Sequence, residues 1–104
     1  MSIKKQYLKS KPECKVSFKV LKADAKDAET IKIVGEFNGW SEDVEPMKKL
    51  KSGDFTQTLN LETGKAYQFK YVLDNSVWEN EAEADAVAPN GIAEGEFNSV
   101  LDLN

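Results

Sequence analysis

The sequence predicts an all-β fold, a single-domain antiparallel sandwich or barrel, because apolar and polar residues alternate with a period of two in five separate segments. These segments are 15–21, 31–37, 54–61, 66–73 and 97–103. In the first of them, Val16, Phe18 and Val20 would share one face of a strand. Such alternation is typical of antiparallel strands with one face on a core and the other in water.

Turn-forming residues separate the alternating segments, which is the second observation behind the predicted fold. Glycine, asparagine, aspartate and serine cluster at 38–39, 52–54, 63–64 and 74–76. These residues tolerate positive φ or bond their own backbone, so they favour tight connections between strands. The interpretation of 22–29 is a polar loop, and 79–96 is the longest stretch predicted to be irregular.

The chain length and the cysteine content suit one small intracellular domain. Its 104 residues fit a single domain, since domains typically run about 50–250 residues. Cys14 is the one cysteine, so no intramolecular disulfide can form, and a cytoplasmic location is expected. No signal-peptide pattern follows Met1, and no apolar run approaches the roughly 20 residues of a membrane helix, so no membrane partner is expected.

Charge is distributed unevenly along the chain. Residues 1–26 contain eight lysines and two acids, a net charge of +6, whereas 27–104 contain six lysines and sixteen acids, a net charge of −10. We predict a lysine-rich N-terminal arm at 1–13 and the folded domain at 14–104. The chain has no arginine, so it lacks the bidentate guanidinium contacts that bind bases and phosphates. Its acidic remainder also repels polyanions, so nucleic acid is not an expected partner.

The residues that enzymes most often use are scarce. The chain has no histidine, which excludes histidine-based triads and histidine-bound zinc. Cys14 has no histidine partner and fits a core or edge position better than a nucleophile. The acids Glu79, Glu81, Glu83 and Asp85 lack the spacing of a calcium-binding EF-hand loop and read as a solvated loop. We therefore expect a non-enzyme with no metal and no cofactor.

Two tryptophans next to turns are the strongest candidates for a binding surface. Trp40 follows the turn at 38–39, and Trp78 lies two residues after the turn at 74–76. A sugar ring has an apolar C–H face that suits the indole face, although a buried core tryptophan is the alternative for each residue. Lys70 and Asn98 lie opposite the apolar residues of their own strands, where they could bond sugar hydroxyls or simply face solvent.

The order of several segments resembles the isoamylase early-set domains of carbohydrate-binding module family 48, which include the glycogen-binding domain of the AMP-activated kinase β subunit. The matching segments are VGEFNGW at 34–40, PMKKL at 46–50, YQFKYVLD at 67–74, WEN at 78–80 and NSVL at 98–101. The resemblance spans roughly residues 14–103. It implies an immunoglobulin-like β-sandwich that binds an α-1,4-glucan such as glycogen, starch or maltodextrin.

The resemblance also implies the binding residues and marks one departure. In glucan-binding members two tryptophans stack on the sugar while a lysine and an asparagine bond its hydroxyls, and by motif these roles fall on Trp40, Trp78, Lys70 and Asn98. Glu94 and Glu96 replace the small polar or aliphatic contacts usual before the asparagine. Many members are attached to amylolytic enzymes or kinase subunits, so a glycogen-metabolising enzyme is an expected partner. A protein-interaction or scaffolding domain that keeps the fold without binding glycan is the alternative.

Overall fold

The computed structural model describes residues 2–81, 83–89 and 97–104. Within them the chain forms nine β-strands and one short 3₁₀ helix at Glu36–Asn38. The strands are β1 Ser2–Tyr7, β2 Glu13–Val20, β3 Ile31–Gly35, β4 Lys48–Lys49, β5 Phe55–Glu62, β6 Ala66–Leu73, β7 Val77–Glu79, β8 Ala86–Pro89 and β9 Phe97–Asp102. Nothing helical in this part of the chain is long and apolar enough to cross a membrane.

The strands form two antiparallel sheets. Sheet 1 has the order β1-β2-β5-β4, and sheet 2 has the order β3-β6-β9-β8, with β7 also paired to β6. The alternating segments of the sequence supply β2, β3, β5, β6 and β9, and the turns at Gly53, Gly64 and Asp74–Asn75 have positive φ angles. The prediction of an all-β, immunoglobulin-like antiparallel sandwich is therefore confirmed.

The core lies between the sheets and is built from the inward residues of both. From sheet 1 it takes alternate residues of β2, and from sheet 2 those of β6, with Phe18 and Phe69 meeting edge to face at 5.5 Å between ring centroids. Cys14 is fully buried in this core, which agrees with its interpretation as a core residue. Each large apolar side chain buried here contributes about 1.5–3 kcal/mol of transfer free energy.

Two segments differ from what local sequence patterns predict. The segment 31–37 is strand only as far as Gly35, where the chain enters the 3₁₀ helix. The predicted irregular stretch 79–96 contains strand β8, which pairs with β9. Local patterns missed β8 because Ala86–Pro89 is a short, uncharged segment without polar alternation, and its strand conformation comes from pairing with β9.

Strand β1 lies inside the predicted arm 1–13 and forms an edge of sheet 1, where Lys5 bridges to sheet 2. Lys5 Nζ contacts the Asp85 carboxylate at 2.7 Å and the Asp102 carbonyl oxygen at 3.0 Å. Burial by itself would raise the pKa of Asp85, but hydrogen bonds from Lys5 and the Asp102 amide, together with the Lys5 charge, lower it below the ordinary value of 3.8. This ion pair closes one side of the sandwich. The division of the chain between residues 13 and 14 stays a prediction.

Because the pKa of Asp85 is lowered by folding, its contribution to stability is present at neutral pH and is lost as pH falls through the folded-state pKa. We expect the difference in unfolding free energy between wild type and Asp85→Asn to be constant above about pH 5 and to shrink below about pH 4. Urea titrations from pH 2.5 to pH 7 measure this difference. Glu62→Gln removes the exposed ion pair with Lys65 and serves as a control with little effect at any pH. A difference for Asp85→Asn that does not vary with pH would contradict the prediction.

Candidate functional site

The segment after β3 leaves the sheet sharply because of Gly35 and Asn38. A Cβ on Gly35 would stand 2.5 Å from the Gln68 carbonyl oxygen and 2.7 Å from Phe69 Cβ, so only glycine allows β3 to approach β6 this closely. The Asn38 side chain folds back, accepting from the Gly35 amide at 3.0 Å and donating to the Ile33 carbonyl at 3.0 Å. These contacts fix the path of the chain towards Trp40.

Phe37 and Glu36 attach the same segment to β6. The Phe37 ring packs against Tyr67 and Phe69, with ring centroids 5.9 Å and 6.5 Å apart. The Glu36 carboxylate accepts a hydrogen bond from the Gln68 amide at 2.6 Å, in place of a strand partner beyond the end of β3. One apolar anchor and one polar anchor therefore hold the turn against the central strand.

Trp40 follows this turn in a backbone conformation that bulky residues rarely adopt. Its φ is +61°, directly after Gly39 at +67°, and its amide donates to the Gly35 carbonyl at 2.9 Å. Left-handed geometry at a tryptophan is strained, and such strain often marks a functional position. Trp40 is half-buried and lies outside the core cluster, so part of its indole remains accessible.

Lys70 lies on the outer face of sheet 2, opposite Val34 of β3. It alternates with Phe69 and Tyr71, which point into the core. Only 9% of Lys70 is exposed. Among the described residues, no buried side-chain nitrogen or oxygen lacks a hydrogen-bond partner. With so little of Lys70 exposed, its aliphatic stem is covered by neighbouring residues.

Trp78 lies on the same outer face because β7 pairs it with Val72 of β6. Its side chain is 41% exposed. The hairpin before it turns through Asp74 and Asn75, both with positive φ, and the Asp74 carboxylate accepts from the amides of Glu29 and Thr30 at 2.8 and 3.0 Å. These bonds tie the hairpin to the chain before β3 and hold the exposed tryptophan at the rim of the sheet.

Asn98 also faces outward, from β9, and is 9% exposed. Its Nδ2 donates to Gln68 Oε1 at 3.0 Å. Gln68 was not among the candidate residues, although its alternation with the core residues of β6 already placed it on the same face as Lys70. The contact orients the Asn98 amide and makes Gln68 a supporting residue of this surface.

The predicted residues therefore have related positions. Lys70 lies on the outer face of β6, and Trp78 and Asn98 lie on the same face of β7 and β9, the two strands that pair with one edge of β6. Trp40 is attached at the end of β3 to Gly35, which pairs with Phe69 next to Lys70. We call Lys70, Trp78 and Asn98, together with Gln68, the outer-face surface; Trp40 lies beyond the end of β3. Glu94 and Glu96 lie outside the described residues.

A buried polar network lies beneath this surface. The Tyr71 hydroxyl donates to Glu81 Oε1 at 2.8 Å, and Glu81 Oε2 accepts from the Glu83 amide at 2.8 Å. Burial, followed by the Glu81 charge and hydrogen bond, raises the pKa of Tyr71, which therefore remains a neutral donor. Sequence reasoning missed this network because Tyr71 lies on β6, whereas Glu81 and Glu83 lie in the segment between β7 and β8, about ten residues further along the chain.

The acidic residues predicted to form a solvated loop separate in the structure. Glu79 pairs with Lys26, and Asp85 pairs with Lys5. Glu81 is 3% exposed, so its prediction as a solvated residue was wrong. A local run of acids indicates solvent exposure, but the hydroxyl of Tyr71 and the backbone amide of Glu83 replace water around the Glu81 carboxylate.

The close contact at Gly35 gives a direct test of how the turn is built. We expect Gly35→Ala to lower the unfolding free energy by about 3 kcal/mol, the upper end of the cost of overpacking, because the added Cβ meets backbone and cannot be relieved by a rotamer change. Urea unfolding measures the loss. Gly64→Ala is the control, since Gly64 has φ +84° and open space around it, and backbone strain costs about 1 kcal/mol. Equal losses for the two variants would contradict a contact requirement at Gly35.

Comparison with known proteins gives a family match, and this match includes the outer-face surface. A search of curated proteins finds no match. Residues 22–103, most of the chain, match the family described as the glycogen recognition site of AMP-activated protein kinase. The match covers β3 through β9 and includes every residue of the outer-face surface. The chain therefore belongs to this family of glycogen-recognition modules.

Proposed function

We propose that the chain is a non-catalytic module that binds an α-1,4-glucan on the outer face of sheet 2. The observation that carries the proposal is the shared placement of Lys70, Trp78 and Asn98 on one face, with Trp40 fixed at the end of the neighbouring strand β3. Family membership supports glycogen, starch or maltodextrin as the ligand class.

Trp40 and Trp78 are the proposed stacking platforms. Both are accessible and neither belongs to the core cluster, so binding requires no unfolding of the sandwich. The indole face carries negative quadrupole and matches the apolar, slightly positive C–H face of glucose. Taking aromatic pairs as a guide, each stack adds about 0.5–1.5 kcal/mol beyond area burial. Affinity for a short oligosaccharide is therefore modest, and retention on glycogen comes from its many repeated chains.

Lys70 and Asn98 are the proposed hydroxyl partners. The Lys70 ammonium offers three donors and no acceptor. Among the contacts of the described residues, Asn98 uses one amide hydrogen, which it donates to Gln68. Its carbonyl oxygen and second amide hydrogen are the groups proposed to bond the sugar. A donor-only group beside a mixed donor and acceptor can distinguish sugar hydroxyls by their orientation, since an unpaired hydroxyl costs affinity when it leaves water.

The proposed setting is cytoplasmic, supported by the reduced, buried Cys14. A binding module acts on its ligand by bringing another activity to it, so the proposal includes an enzyme of glycogen metabolism as partner. Neither metal nor cofactor has a role in the proposed binding.

Affinity electrophoresis in gels containing glycogen tests the proposal. We expect the wild type to be retarded, and Trp40→Ala and Trp78→Ala each to weaken binding roughly five- to tenfold through loss of one stack. Tyr7→Ala is the matched control, because Tyr7 is an exposed aromatic residue on β1, the edge strand of sheet 1. Far-ultraviolet circular dichroism verifies the folding of each variant.

The result that would overturn the proposal is unretarded migration of the folded wild type. If Tyr7→Ala abolished retardation as strongly as Trp40→Ala and Trp78→Ala do, the binding site would not be the outer face of sheet 2. Unretarded migration would favour the alternative of a protein-interaction domain that keeps the fold without binding glycan, whereas loss of retardation in Tyr7→Ala would move the glycan site to another face.

A further inference from the structure

One edge of β6 is shared by two strands that meet end to end. Strand β9 pairs with Ala66–Phe69, and β7 pairs with Tyr71–Leu73. Lys70 lies between the two paired stretches. Trp78 belongs to β7 and Asn98 to β9, so their relative position depends on how these two strands are joined.

Ser99 and Asn80 join the two strands at this point. Ser99 Oγ accepts from the Glu81 amide at 2.8 Å and donates to Asn80 Oδ1 at 2.9 Å. Asn80 Nδ2 donates to the Phe97 carbonyl at 3.0 Å. We call these three hydrogen bonds the β7–β9 clamp. They link residues two and three positions after Trp78 to the residues on either side of Asn98.

The clamp is buried at its Ser99 end, where the bond from the Glu81 amide lies, and exposed where Asn80 bonds the Phe97 carbonyl. Ser99 is fully buried and Glu81 is 3% exposed, and the Glu81 side chain is itself held by the Tyr71 hydroxyl. Hydrogen bonds in such surroundings are electrostatically stronger than in water, and the loss of a partner leaves a buried group unsatisfied. Strand β7 is short and forms three residue pairs with β6, so the clamp adds substantially to its attachment.

We propose that Ser99 and Asn80 are positioning residues of the glucan site, holding the Trp78 ring and the Asn98 amide at a fixed spacing across Lys70. The proposal rests on the proposed function. Ser99 alternates with Asn98 and points inward, and both amide atoms of Asn80 are engaged within the clamp. Preorganisation of this kind raises affinity by lowering the ordering cost of binding.

A positioning role predicts an effect that depends on ligand length. A chain of seven glucose units can contact both Trp78 and Asn98, whereas maltose, with two units, depends less on their spacing. We expect Ser99→Ala to weaken maltoheptaose binding on the order of fivefold, the equivalent of one lost hydrogen bond, and maltose binding by less than about twofold. Isothermal titration calorimetry or NMR titration measures both affinities.

Two further variants separate positioning from a general loss of stability. Ser17→Ala is the matched control, since it removes one inter-strand hydroxyl contact, with Thr58 at 3.1 Å, on sheet 1. It should change neither affinity. Asn80→Ala breaks the clamp at a half-buried residue, and should reproduce the Ser99→Ala pattern even if Ser99→Ala folds poorly. In a Trp40→Phe background, fluorescence anisotropy should show a more mobile Trp78 in either clamp variant without any ligand.

Each outcome decides the inference. Weaker maltoheptaose binding with a more mobile Trp78 supports the clamp as a positioning device. Wild-type affinity for maltoheptaose in folded Ser99→Ala and Asn80→Ala overturns it and leaves the proposed function standing. Equal losses for maltose and maltoheptaose also overturn it, in favour of a purely structural role. No glucan binding by the wild type overturns the proposed function and the inference together.

Discussion

The central strand β6 is the constraint on which the rest of the molecule depends. Its inward residues form the aromatic part of the core, where Phe69 contacts Phe18 of the other sheet. Its outward residues form the middle of the candidate binding surface, and its two edges pair with β3 on one side and with β9 and β7 on the other. Core packing therefore fixes β6, and β6 in turn fixes where Lys70 and Trp78 lie.

The strands whose sequences alternate could be predicted, because alternation reports directly which side chains face the core. Segment 66–73 matches β6 at both ends. The edge strands β1 and β8 could not be predicted this way, since their conformation depends on a partner strand remote in sequence. Gly35 shows the same limit in a single residue: its role comes from the approach of Gln68 and Phe69, more than thirty residues further along the chain.

The outward orientation of Lys70 and Asn98 was predictable from parity, and the turns before Trp40 and Trp78 were visible as residue types. What local patterns could not supply is the set of contacts that hold these side chains. The Asn38 fold-back depends on backbone atoms of β3, and the Asn98 amide depends on Gln68 from another strand. Glu81 was predicted wrongly for the same reason. Its acidic neighbours in the sequence indicate exposure to solvent, but a hydrogen bond from the Tyr71 hydroxyl holds its carboxylate in the interior.

The central claim is that a glucan occupies the outer face of sheet 2. Titration of the ¹⁵N-labelled chain with maltoheptaose, followed by heteronuclear NMR, tests this most directly because every amide and both indoles report separately. The account predicts that the largest shift changes fall on the indoles of Trp40 and Trp78 and on the amides around Lys70 and Asn98. Changes confined to the outer face of sheet 1, or to the groove of about 360 Å³ beside Phe37 and Leu59, would contradict it.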